Sequence, residues 1–212
     1  MNSTHTQTKT RKLVARTGIL AAIAVAAMMI APALGAAAPV KFGSKLDPTV
    51  QPSNSLPGLR CSQEAPGPCT MVQEEAYGRP DGGELAPKTG TIKKIRLIAG
   101  GPGSFKLQIA KVKRSTLFGT NEAKVVANGP RISYQGQTEA NFESDNYEVE
   151  SFSVDVPVKK GQQLALKGNI TSMIRCSSGG DNTLIYTPPL SSSFRAATNT
   201  DGCWILMEAV IR

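Results

Sequence analysis

The sequence predicts an all-β protein, an antiparallel β-sandwich of the jelly-roll kind placed after an N-terminal signal segment. Beyond residue 60 the apolar residues recur with a period of two, and clusters of Gly, Pro, Asn and Asp part them into short runs. No stretch after the signal carries a helical period. Such a pattern suits strands that bury one face and turn tightly.

Residues 1–37 form the first element. Lys9, Arg11, Lys12 and Arg16 stand there without any Asp or Glu, and the apolar run 18–30 (GILAAIAVAAMMI) follows. Pro32 then breaks any helix before the small residues Ala33, Leu34, Gly35, Ala36, Ala37 and Ala38. This is the order of a secretory signal peptide, with cleavage expected between Ala36 and Ala38. The alternative is an uncleaved anchor, since residues 18–40 carry no charge and a helix of ~20 residues spans a bilayer. No membrane span is expected after signal cleavage.

Residues 38–60 contain four prolines and little apolar periodicity, which predicts a flexible Pro-rich tether, docking as an extra strand being the alternative. The β-domain is expected over 61–212. It opens on Cys61 and Cys69, which bracket a turn-rich loop (CSQEAPGPC). Strands are then expected at 71–77, at 91–99 (TIKKIRLIA), and at 105–112, where Phe105, Leu107 and Ile109 alternate with Lys106 and Gln108. The loop 100–104 (GGPGS) should close the last two into a hairpin. A phosphate cradle would need a helix immediately downstream, and the strand period there argues against one.

Two short strands, 123–127 and 131–134, are expected around the turn Asn128-Gly129-Pro130. The acidic stretch 139–150 reads as a loop entering a strand in which Phe152, Val154 and Val156 point inward. Further strands are expected at 163–167, 170–176, 183–187 and 203–211, with a long irregular loop over 188–202. The last strand (CWILMEAVI) is apolar on both faces except at Glu208. That predicts a central strand covered by the opposite sheet.

Composition excludes more than it proposes. Setting aside the four basic residues of the signal lowers the formal charge from +8 to an excess of 20 Lys and Arg over 16 Asp and Glu. The excess is scattered along the chain, the densest point being Lys111, Lys113 and Arg114, so no nucleic-acid partner is expected. The only histidine, His5, lies in the signal. A His-dependent nucleophilic site or a His-ligated zinc is therefore excluded from the exported part, and no cofactor is expected.

Four cysteines, Cys61, Cys69, Cys176 and Cys203, are an even set in an oxidising compartment and predict two disulfides. The preferred pairing is Cys61 with Cys69 and Cys176 with Cys203, each loop contributing roughly 2.5 to 3.5 kcal/mol. A four-thiolate zinc site would show paired CxxC spacings, which are missing.

The segments GTIKKIRLIAGGPGSFKLQIAKV, ESFSVDVPVKKGQQLALKG and DGCWILMEAVI together resemble an uncharacterised group of exported actinobacterial β-sandwich proteins, over roughly residues 83–212. In that group a strand ending in Pro-Val-Lys is followed by a Gly-centred turn, often Gly-Asp; here Gln162 replaces the Asp. The resemblance implies an architecture and assigns no functional residue.

Three functions compete. The first is a non-catalytic structural or interaction protein of the cell envelope, its partner an envelope glycan or protein. The second is a carbohydrate-binding module, for which Tyr134, Tyr147 and Tyr186 would be the exposed platforms, Trp204 being expected between the sheets. The third is a glycosidase using carboxylates among Glu143, Asp145, Glu148 and Glu150, a chemistry that needs two carboxyls ~5 to 9 Å apart across a cleft. Asp145 and Asn146 are the weak candidates for calcium.

Overall fold

A computed structural model describes residues 38–49, 52, 67–79, 83–114, 121–169, 174–176 (as backbone) and 183–212. The chain divides into two compact units, Met1–Ala37 and Ala38–Arg212, and every described residue belongs to the second. Residues 1–37, read as the signal, residues 50, 51 and 53–60 of the tether, and Cys61 lie outside the described residues.

In chain order the elements are β1 (Val40–Gly43), β2 (Cys69–Gln73), β3 (Gly90–Leu97), β4 (Gly103–Lys113), β5 (Glu122–Tyr134), α1 (Glu139–Glu143) and β6 (Glu150–Val158). There follow β7 (Gln163–Gly168), β8 (Ile174–Cys176), β9 (Thr183–Tyr186), β10 (Arg195–Ala196), β11 (Asn199–Asp201), β12 (Cys203–Ile205) and β13 (Met207–Ile211). They build a four-stranded sheet, β1-β13-β3-β6, a seven-stranded sheet, β10-β5-β4-β7-β2-β9-β11, and the pair β12-β8. Every pairing is antiparallel.

One apolar cluster draws on both large sheets. Ile92, Ile95 and Leu97 of β3 and Met207, Ala209 and Ile211 of β13 meet Phe105, Leu107 and Ile109 of β4 and Leu164 and Leu166 of β7. The period of two read from the sequence is thus the period of core burial. The other face of the seven-stranded sheet is also covered: Val72, Ala110, Ala123, Ala165, Leu184, Tyr186 and Leu190 form a second cluster. For that reason β2 and β9 are buried at every position.

Several expectations give way. β3 and β4 do not pair as a hairpin; they lie in different sheets, and residues 98–102 carry the chain from one to the other. Ile98 donates its N–H to the carbonyl of Leu206 and is wholly buried, so this connection is pinned rather than looped out. The two short strands around Asn128-Gly129-Pro130 are one continuous β5. There Pro130 removes no ladder bond that matters, because β10 reaches only Glu122 and Ala123 and leaves this end of β5 as an edge.

The acidic stretch holds the five-residue α1, capped by Thr138 in a reciprocal bond with Asn141, too short to show a helical period. The loop 188–202 contributes β10 and β11. Within 38–60, residues 40–43 dock as β1, with Val40 opposite Ile211 and Phe42 opposite Ala209. Phe42 enters the core, and buried Ser44 donates through Oγ to the Ile205 carbonyl at 2.7 Å.

The closing apolar segment is central as expected, β13 lying between β1 and β3. It is broken at Leu206 into β12 and β13, and only one face of β13 meets the core. Trp204 is not between the sheets. Cys203 and Ile205 point into the core, so period two turns Trp204 away, and it is half-buried against Tyr77, edge to face at 5.2 Å.

Cys69 and Cys203 are both disulfide-bonded, and no described cysteine is free. The backbone register sets Cys203 directly opposite Cys176.

Candidate functional site

None of the three tyrosines forms a platform. Tyr134 is buried in the main core beside Phe105, ring centroids 6.1 Å apart. Tyr147 is buried with Ile98 and Leu206, edge-on to Phe142, and its hydroxyl donates to Asp145 Oδ1 at 2.9 Å. Burial first, and then that hydrogen bond, raise its ionisation above the ordinary phenol value. Tyr186 is buried in the second cluster, and its hydroxyl donates to the Asn121 carbonyl at 3.4 Å. Burial, then the nearby charge of Glu74, push its ionisation well above the usual range.

The acidic stretch is bonded within itself and to the turn that precedes it. Glu150 accepts from the amides of Gln135 and Gly136 at 2.8 to 3.1 Å. Asp145, in the left-handed region at φ 47°, accepts the Tyr147 hydroxyl. Asn146 accepts through its carbonyl from Asn141 Nδ2, while the Glu148 amide is bonded to Gln137 Oε1. Glu143 ends α1 on the surface. Among the described residues no three His, Cys, Asp or Glu side chains converge as a metal site.

Two polar constellations that the sequence reading missed stand instead on the outer faces of the sheets. On the seven-stranded sheet, Arg114 bridges two buried carboxylates, Glu74 at 3.3 Å and Glu84 at 2.9 Å, and Asn121 Nδ2 donates to Glu74 at 3.2 Å. The register that sets Val72 opposite Ala165 and Ala110 opposite Gln163 brings Gln163 to the same face. Gln163 is 1% exposed, and neither atom of its amide has a hydrogen-bond partner.

The outer face of the four-stranded sheet carries the second constellation. Glu208 of β13 is buried and is held by cations from three other segments: Arg96 of β3 at 2.7 Å, Lys41 of β1 at 3.3 Å, and Arg79 from the segment after β2. Arg79 also donates through Nε to the Gly43 carbonyl, lying where the strand offers no side chain of its own. Exposed Lys94 stands between Val210 and Ser153, and Arg96 stands between Glu208 and Ser151. The clue in the sequence was Glu208 itself, because a carboxylate in an apolar strand must find a cation. Which cations it finds depends on the topology.

Around this carboxylate the chemistry is electrostatic and polar. Lys41, Arg79, Lys94 and Arg96 outnumber Glu208, the remaining acid of the face, Asp155, being paired with Lys93, and the cations remain reachable, Lys41 at 45%, Arg96 at 29% and Arg79 at 22%. Exposed Ser151 and Ser153 add hydroxyls beside them. No known protein family, curated protein or solved structure matches this chain.

Proposed function

We propose that the chain is an exported, non-catalytic protein of the cell envelope, a jelly-roll-like β-sandwich that works by holding a partner rather than by turnover. The observation that carries this reading is the open basic face around Glu208, where side chains from β1, β3 and the segment after β2 gather beside two exposed serines. Disulfide-bonded Cys69 and Cys203 support export, since such bonds persist in oxidising compartments. The pairing of Cys61 with Cys69 and of Cys176 with Cys203 belongs to the same reading, the second pair supported by their facing register. The resemblance to exported actinobacterial proteins agrees with it.

Fractionation of cells expressing the full chain tests the proposal. The protein should sediment with the envelope, start between Ala36 and Ala38, and be released by the double substitution Lys41→Glu, Lys94→Glu. Recovery in the cytoplasm with free thiols refutes it. A second reading, a module for neutral carbohydrate, is favoured by one observation: Trp204 and Tyr77 form a half-buried aromatic pair. Under that reading a neutral glycan shifts the fluorescence of Trp204, and the basic face is irrelevant to binding.

A further inference from the structure

We infer that the basic face binds an acidic polysaccharide, a hydroxyl-rich chain bearing carboxylate or phosphate groups; the inference rests on the interaction reading above and names the partner of that same face. Charge is the first argument. Lys41, Arg79 and Arg96 pair with Glu208, and Lys94 stands on the same face with no ion pair among the described residues, while Asp155, the other carboxylate of this face, is taken by Lys93. Glu208 cannot neutralise them all. It acts as a positioning residue, receiving Lys41, Arg79 and Arg96 from separate segments and holding their charges at the surface.

Geometry is the second. The register aligns Lys41, Val210, Lys94 and Ser153 across four strands, with Glu208, Arg96 and Ser151 in the next rank. Neighbouring strands lie ~4.8 Å apart, so Lys41 and Lys94 start ~10 Å from one another on a broad surface. An extended polymer with repeated anionic groups meets such spacing better than one small anion does.

The third argument is what accompanies the charge. Serine hydroxyls stand beside the cations and suit sugar hydroxyls. A lipid surface would instead call for apolar side chains to insert. Among the described residues the exposed large apolar side chains are Val126 and Phe194, on β5 and in the loop before β10, both outside this sheet.

The test uses the full chain recovered after export, with polygalacturonate and dextran sulfate as probes, neutral dextran as control, and phosphatidylglycerol vesicles as the lipid arm. Both acidic polymers should bind, and binding should weaken at least tenfold between low and half-molar salt. The Lys94→Glu variant should lose at least tenfold in affinity with an unchanged unfolding midpoint, while Lys111→Glu on the other sheet binds as before. Equal binding of neutral dextran, indifference to Lys94→Glu, or preference for the vesicles overturns the inference. If Lys94→Glu releases the chain from the envelope but neither acidic polymer binds, the polysaccharide is wrong and the interaction face stands. If the chain never associates with the envelope, both fall.

Discussion

At the scale of single residues, the polar groups that the fold buries are its most testable feature. Gln163 holds a buried amide without a partner for either atom, and each such orphan forfeits ~1 to 3 kcal/mol of desolvation. Gln163→Met keeps the volume and removes the polar atoms. Urea unfolding should find it neutral or more stable by about 1 kcal/mol; a clear loss would reveal a bound group at the amide. Tyr186 makes a second case. Its ionisation is raised by burial above the ordinary value of 10.0, so the folded state keeps a proton that the unfolded chain releases. The associated stability is fully present below pH 10 and is lost as pH rises beyond it, by up to ~1.4 kcal/mol per pH unit. Tyr186→Phe should flatten that alkaline limb in a series of denaturation curves. Composition hid these burials: tyrosine is ambivalent between surface and core, and nothing local separates Tyr186, whose hydroxyl reaches the Asn121 carbonyl, from a displayed ring.

At the scale of elements, alternation was legible and partnership was not. The inward residues of β3, β4, β6 and β7 are those that a period of two selects, because burial on one face is a local property of a strand. The hairpin of β3 with β4 failed because a Gly-Pro loop permits either a tight turn or a crossing between sheets. The wholly buried Ile98, bonded to Leu206, decides for the crossing. Lys41 escaped notice for a similar reason, its strand being only four residues long and edge-bound among prolines. Gly43 shows how tightly that strand is docked: its φ is +91°, and a Cβ there would stand 2.4 Å from the Met207 carbonyl oxygen. Gly43→Ala should therefore destabilise by ~1 to 3 kcal/mol and loosen Lys41 and Arg79 from Glu208. Trp204, being half-buried beside Tyr77, should lose less on truncation than the ~3 to 5 kcal/mol of a core tryptophan, and its fluorescence should be open to iodide.

At the scale of the whole molecule, two sheets share a core, and separate segments are tied into it by different means. β1 and β13 pair along four residues, which joins the segment after residue 38 to the C-terminus. The segments carrying Cys69 and Cys203 are held covalently. With the proposed pairing, two disulfides would contribute roughly 6 kcal/mol together by loop closure, comparable with the ~5 to 15 kcal/mol of net stability that a domain possesses. Folding should therefore depend on the compartment. The exported chain, measured without reduction, should lack four hydrogens, and peptide mapping should join Cys61 to Cys69 and Cys176 to Cys203. The same chain with reductant should unfold at a much lower urea concentration, and Cys176→Ser should lose about half of the difference, ~3 to 4 kcal/mol. A map joining Cys69 to Cys176 would contradict the pairing. Equal stability with and without reductant would mean that the sheets alone hold the fold, and that the cysteines answer to some other need.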